Sequence, residues 1–297
     1  SPASGSVQNF TTPVRYTVTS EDKAWHRVYA ITAREQKASN IPTTYHFEKV
    51  RIMQNVWQEF YEEQDSGNEL TWASGNKGFK WAMSEAATED YPTTQIDNGK
   101  TGKCVKLETR LTGDLGNMVG MPIAAGNLFI GSFDMLNAIT NPLSATRFGT
   151  PFYNKPLRLT GYYKYKAGEQ FYENGEYTSR KDIFNIYAIF YDGVKYDSAG
   201  KGTDVTLDGN LPNQNYEHSS MVALALVSNP QETEGDEWKF FDIPFDYQRY
   251  GKKIDEARLA KGEYKIGIIF ASSKDGATFE GAPGSTLLID EVELIYE

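Results

Sequence analysis

The stretch LLIDEVELIY at 287–296 constrains the fold more than any other part of this chain. Leu287, Ile289, Val292, Leu294 and Tyr296 are apolar, with Asp290, Glu291 and Glu293 between them. A two-residue period places alternate side chains on opposite faces of a strand, so one face is buried and the other is wet. The period slips by one position near Asp290, which is how a β-bulge reads in sequence. The 272–285 stretch just before it, SSKDGATFEGAPGS, is crowded with turn residues. Gly276, Gly281 and Gly284 are expected to supply positive φ there, with Phe279 turned inward as an anchor. So dense a loop needs something to hold it.

The rest of the chain follows the same logic. Aromatic residues make up 13% of 297 residues, with 19 Tyr and 16 Phe against 6 Met, and 26 Gly and 12 Pro are spread along it. That is the profile of many strands joined by turns. The net charge of −10 and the lack of clustered Lys and Arg exclude a nucleic-acid partner. Cys104 is the single cysteine, so there is no internal disulfide and no cysteine-based zinc site; it reads as a small buried hydrophobe. His26, His46 and His218 stand far apart, without metal-ligand spacing. No apolar run reaches the roughly eighteen residues of a membrane-spanning helix.

Residues 1–35 read as a unit of their own. Val14-Tyr16-Val18 and Val28-Tyr29-Ile31 alternate on either side of the turn Ser-Glu-Asp-Lys, which predicts a hairpin. A hairpin alone buries too little to be stable. Residues 36–45, QKASNIPTTY, read as a linker. Beyond it, strands are expected near 45–50, 102–110, 127–134, 156–166, 183–192, 220–227, 238–243, 263–272 and 286–296. Ile254–Leu259 and Trp57–Glu63 are expected to form helical turns. Many strands without βαβ alternation predict an all-β jelly-roll β-sandwich over 46–297.

Several stretches carry a family resemblance. HFEKV at 46–50, WASGN at 72–76, AGNLFIGSF at 125–133, RFGTPFYNKPLRLTGYYKY at 147–165 and SSKDGATFEGAPGSTLLIDEVELIY at 272–296 resemble the putative carbohydrate metabolism domain of exported Bacteroidetes proteins. The hairpin at 1–35 resembles the last strands of the bacterial immunoglobulin-like domains that recur in tandem on surface proteins. Those sandwiches take about 100 residues, so Ser1 reads as a cut, with partner modules expected before it. The family resemblance implies a jelly roll of the carbohydrate-binding-module type, outside the cytoplasm at the cell surface or in the periplasm, anchored through a missing N-terminal part as in a lipoprotein. It implies a glycan partner and supplies no catalytic residues. In related sandwiches an early "FE" and a late "Asp-x-Val" strand often furnish a structural Ca²⁺ site. By motif that role falls here to Glu48 and Asp290, and such a cation would pin the glycine-rich loop before Leu287. The bland alternative is that Asp290 faces water or caps the bulge.

The binding candidates are aromatic. An exposed indole can cover the C–H face of a sugar while polar neighbours bond its hydroxyls. Trp57, Trp72 and Trp81 lie in polar company, with Asn76 among them, and are the expected ligand contacts. Trp238, in EWKFFDIPF, reads as core because of its alternation with Phe240. Tyr162, Tyr163 and Tyr165 would leave a tyrosine on one exposed strand face. The 272–285 loop lacks a Gly-Lys-Ser/Thr ending and leads into a strand, which excludes a phosphate loop. A glycosidase needs two carboxyls roughly 5–9 Å apart, and among 40 acidic residues no spacing picks a pair. The sequence therefore points to a non-catalytic glycan-binding module, with a structural or adhesin module and, third, a glycoside hydrolase as rivals.

Overall fold

The structure is a computed structural model that describes residues 2–3, 5–10, 12–31, 38–64 and 66–297. The chain divides into two compact units, Ser1–Ala38 and Ser39–Glu297. In the first, β1 (Val14–Thr19) and β2 (His26–Ile31) form the antiparallel hairpin the alternation predicts, with Tyr16 opposite Tyr29. Its side chains are nearly all exposed. Residues 32–37, which include the end of the expected hairpin unit and the start of the expected linker, lie outside the described residues.

The second unit is all-β apart from short helices. Its principal strands are β3 (Thr93–Asp97), β4 (Lys103–Glu108), β5 (Asn127–Phe129), β6 (Pro156–Lys166), β7 (Asn185–Asp192), β8 (Met221–Leu226), β9 (Lys239–Pro244), β10 (Tyr264–Ala271) and β11 (Thr286–Tyr296). The helices are α1 (Asn76–Ala82), α2 (Gly113–Met118), α3 (Met135–Thr140) and α4 (Glu256–Leu259). One sheet runs β9-β6-β11-β4-β3, with Thr44–Tyr45 added on β11. The other runs β5-β10-β7-β8, with Thr150–Pro151 added on β10. All these pairings are antiparallel.

Strand periodicity explains how the two sheets share a core. Leu159, Tyr163 and Tyr165 of β6 and Leu287, Ile289, Val292 and Leu294 of β11 point inward, and meet Ile186, Ala188 and Phe190 of β7 and Ile266, Ile268 and Phe270 of β10. The other face of β7 is also buried. Tyr187, Ile189 and Tyr191 pack with Phe129, Phe148, Leu207 and Tyr216 in a second cluster. A strand covered on both faces needs no polar positions, which is why NIYAIFYD is apolar almost throughout. The bulge near Asp290 is real. Thr160 faces Glu293 while Tyr162 faces Asp290, so β11 carries one extra residue, and Glu291 takes a positive φ of 49° to accommodate it.

Two expectations fail. Trp57–Glu63 is a strand, not a helical turn; it pairs with Val50–Met53 and Glu69–Thr71. Its Trp57 and Phe60 mimic helical spacing because each face of the strand buries one of them, Trp57 against Phe79 and Tyr91 and Phe60 in the main core, where Glu62 on the same face accepts the Phe47 N–H at 2.7 Å. Residues 38–45 are not a plain linker either, since Ile41 and Tyr45 lie in the core.

Candidate functional site

The outer face of the β5-β10-β7-β8 sheet is partly roofed by α1, α2, α3 and the turn at Gly276–Thr278, and between them lies a cleft of about 170 Å³. Phe79, Phe129, Phe133, Phe148, Tyr187 and Ile269 supply much of its wall. Among the described residues no Asp or Glu lines it, and Lys274 is the single charged residue that does. Around the cleft, Leu115, Met118, Leu136 and Ile139 are exposed, so the apolar surface continues outward on α2 and α3.

The roof is fixed by specific bonds. The Asn127 carboxamide oxygen accepts the Gly75 N–H at 2.8 Å just before α1. Asp134 caps α3 by accepting from the Leu136 and Asn137 N–H groups, an N-cap that satisfies otherwise free helix donors. The Thr112 hydroxyl donates to the Met121 carbonyl and closes the α2 loop.

Asp182 is what holds the glycine-rich loop. Its buried carboxylate accepts from the Ser273 hydroxyl at 2.5 Å, the Ser285 hydroxyl at 2.7 Å, the Ala282 N–H at 2.8 Å and the Ile183 N–H at 2.8 Å. Thr109 extends the network to Ser272 and Ser273. Burial pushes the Asp182 carboxyl above its ordinary range, and the four hydrogen bonds pull the other way. Sequence reasoning missed this residue because it lies far from the loop in the chain. Of the loop's glycines, Gly284 has a left-handed φ of 90°, whereas Gly276 is needed for close packing against Ala125. Phe279 does turn toward the cleft.

The expected ligand contacts separate sharply. Trp72 is 1% exposed and packs with Tyr45, Phe47 and Phe270 at ring-centroid distances of 5.0, 5.7 and 5.9 Å. Trp57, 7% exposed, belongs to a small cluster with Phe79 and Tyr91. Neither can present a ring to a sugar. Asn76 is also buried; its carboxamide bonds the Thr93 carbonyl at 2.7 Å and N–H at 3.1 Å and so fastens α1 to β3. Trp81 alone is open, at 38%, and lines the cleft. Helix geometry gives the reason. Two residues apart on a helix, Phe79 and Trp81 point to opposite sides, and Phe79 takes the inside.

The motif AGNLFIGSF contributes Asn127, Phe129 and Phe133 to the cleft, while Met135 and Ile139 come from the short α3. The exposed apolar positions of α2 and α3 were the available signal, masked by the shortness of both helices.

A second, more open hollow of about 520 Å³ lies between β8 and β9, the edge strands of the two sheets. Its acids are engaged: Asp242 accepts from Arg158 at 2.6 Å, and Asp246 accepts the Gln248 and Arg249 N–H groups. Trp238 is not the core residue that its alternation suggests. It lies half-buried with Lys164 over its ring, and Phe240 beside it is 53% exposed and packs on Tyr162.

Glu48 and Asp290 converge on one loop, 98–103, and not on the loop before Leu287. Glu48 accepts the Lys103 N–H at 2.8 Å, and Asp290 accepts the Thr101 N–H at 3.0 Å and the Glu291 N–H at 2.8 Å. Gly99 and Gly102 make room for the two carboxylates: a Cβ on Gly99 would stand 2.7 Å from Asp290 Oδ2, and one on Gly102, where φ is 62°, would run into Glu48. Burial pushes the Asp290 carboxyl up to about 6, against the pull of those N–H groups. The nearby Cys104 thiol is pushed up to about 12, by burial first and then by the Asp290 charge. Among the described residues no salt bridge reaches Asp290 and no three His, Cys, Asp or Glu gather as a metal cage. A hard cation there would take two carboxylates from the protein and need its other oxygens from backbone or water.

Fold and cleft together define an all-β protein with a preformed apolar hollow. The chain belongs to the family described as "Putative carbohydrate metabolism domain", which matches residues 46–295, and residues 1–33 match the description "SGBP, N-terminal". It is similar to the crystal structure of a "putative glycoside hydrolase" from Bacteroides vulgatus ATCC 8482, with 50% identity and a TM-score of 0.80 over 88% of this chain and 100% of that one. A second structure of the same description, from Bacteroides thetaiotaomicron VPI-5482, is 45% identical with a TM-score of 0.77 over 100% of this chain and 82% of that one. A likeness to TmCBM61 in complex with β-1,4-galactotriose, at 12% identity over 69% of this chain and 83% of that one and a TM-score of 0.26, is too slight to carry an argument. No curated protein matches. The domain is thus carbohydrate-related, and no helix among the described residues is long and apolar enough to cross a membrane.

Proposed function

We propose that this chain is a non-catalytic, extracytoplasmic glycan-binding module. In this reading the two sheets form a jelly-roll frame, the hairpin is the tail of an immunoglobulin-like domain, and a sugar chain is held at the cleft against the Trp81 indole. The observation that carries it is an exposed indole beside a hollow with no acidic residue in its wall among the described residues. Hydrolysis by paired carboxyls needs an acid and a base or nucleophile facing the same bond. The carboxyls that burial raises, Glu59, Glu62, Asp182 and Asp290, all lie outside that wall.

Affinity electrophoresis through gels containing soluble polysaccharides tests the reading. Retardation by at least one polysaccharide, lost on Trp81→Ala with no release of reducing ends, is the expected result. Reducing-sugar release would favour a hydrolase, and free migration through every gel would favour a structural or adhesin module.

The same proposal gives Glu48 and Asp290 to a structural Ca²⁺. The buried Asp290 carboxylate, which no salt bridge reaches among the described residues, supports that assignment. Bound there, the ion would neutralise the two carboxylates and stiffen loop 98–103.

A further inference from the structure

The cleft is too apolar to enclose a bare sugar. A hexose carries several hydroxyls, and each needs a partner when buried. Apart from Lys274, which is exposed, the wall has few to give. Asn127 spends its oxygen on the Gly75 N–H and its amide on the Ala125 carbonyl. Asn185 is paired with the Tyr216 hydroxyl at 2.9 Å, Thr112 with Met121, and Ser273 with Asp182. A bare sugar ring inside would leave most of its hydroxyls unbonded.

The volume fits something else. An engineered cavity of about 150 Å³ lined by Leu, Ile and Phe binds benzene, and this one measures about 170 Å³ with phenylalanine, isoleucine and methionine in its wall. One polar atom stands apart. The Thr146 hydroxyl oxygen is buried, lines the cleft, and has no partner among the described residues. It offers one unspent hydrogen bond in a largely apolar wall.

We propose that the cleft receives one apolar substituent of its ligand, an aryl or short acyl ester group, with the ester carbonyl accepting from the Thr146 hydroxyl. Resting on the glycan reading, the inference makes the preferred ligand an esterified glycan: the substituent enters between α1 and α3, and the sugar that bears it stays outside against Trp81.

Methyl ferulate and benzyl alcohol serve as probes that need no knowledge of the sugar, with methyl β-glucoside as control. Saturation-transfer NMR on the full chain should show both aromatic probes bound and the glucoside unbound. Ala138→Phe, which adds a ring to the cleft wall, should weaken both aromatic probes by at least about tenfold, since the area they would bury is already filled. Thr146→Val should weaken methyl ferulate severalfold and leave benzyl alcohol within about twofold, because one carries an ester carbonyl and the other does not. Thermal melting of each variant reports whether it is folded. Absence of aromatic binding to the wild type overturns the inference, as does binding that a folded Ala138→Phe leaves unchanged. Retardation in unsubstituted polysaccharide gels reports separately on the glycan reading. Aromatic binding without any retardation would sink that reading and keep the apolar receptor, while retardation without aromatic binding would do the reverse.

Discussion

Trp72 closes a ring cluster with Tyr45, Phe47 and Phe270, whereas Trp81 meets solvent at the cleft. Both stand in polar sequence surroundings, and composition does not separate them, because burial is set by partners from distant strands. Asp182 shows the same limit more sharply. It sits in RKDIFN, a stretch with nothing to mark it, and its four donors come from Ile183 and from the loop at 273–285. Replacing it with Ala would strand the Ala282 and Ile183 N–H groups and free the loop that carries Phe279 into the cleft. Asp182→Ala is therefore expected to lose about 2–4 kcal/mol of stability, read as a lower urea midpoint with unchanged slope, and to weaken glycan retardation. A midpoint within error of the wild type would mean that the loop is held by other contacts. The raised carboxyl gives the pH sign. Its contribution is largest in acid and falls as pH rises through its folded value.

At the scale of elements the sequence was most readable where one rule governs. The alternation of β6 and β11 and the slip at Asp290 all appear in the structure, since a half-buried strand must show its period. The strand at Trp57–Glu63 is hidden in the sequence because the turn before it is unusual: Gln54 and Asn55 both take positive φ, 49° and 61°, and only Asn favours that conformation. Loop 98–103 yields the calcium prediction. Asp290 has a folded value of about 6 against an ordinary 3.8, so the fold favours its neutral form. In EDTA that stabilisation is complete below pH 3.8 and is lost as pH rises through about 6. A bound Ca²⁺ favours the carboxylate and reverses the trend. The melting temperature in excess calcium should then exceed that in EDTA by an amount that grows from pH 4.5 to about 7. Superimposable melting curves across that range would remove the ion from Glu48 and Asp290. Asp290→Asn should abolish the calcium increment and, in EDTA at neutral pH, cost little.

At the scale of the molecule, charge was legible and the cleft was not. A count of residues gives −10 and sets nucleic acid aside, but the cleft is assembled from α1, α3, β5, β7 and the 272–285 loop, and only the tertiary fold brings these together. The two facts meet in how binding should respond to salt. A chain of strong negative charge whose cleft carries one cation, Lys274, among the described residues has little there to attract a polyanion, and contacts between rings and apolar groups are unaffected by screening. Affinity for whichever polysaccharide retards the chain is thus expected to vary by less than about twofold between 0.05 and 0.5 M NaCl, and calorimetry should give a negative heat-capacity change of binding from buried apolar area. Lys274→Ala should leave that affinity unchanged. If affinity instead falls steeply with salt and Lys274→Ala reproduces the fall, the ligand is an anionic glycan held by charge at the cleft rim, and the indole of Trp81 is secondary.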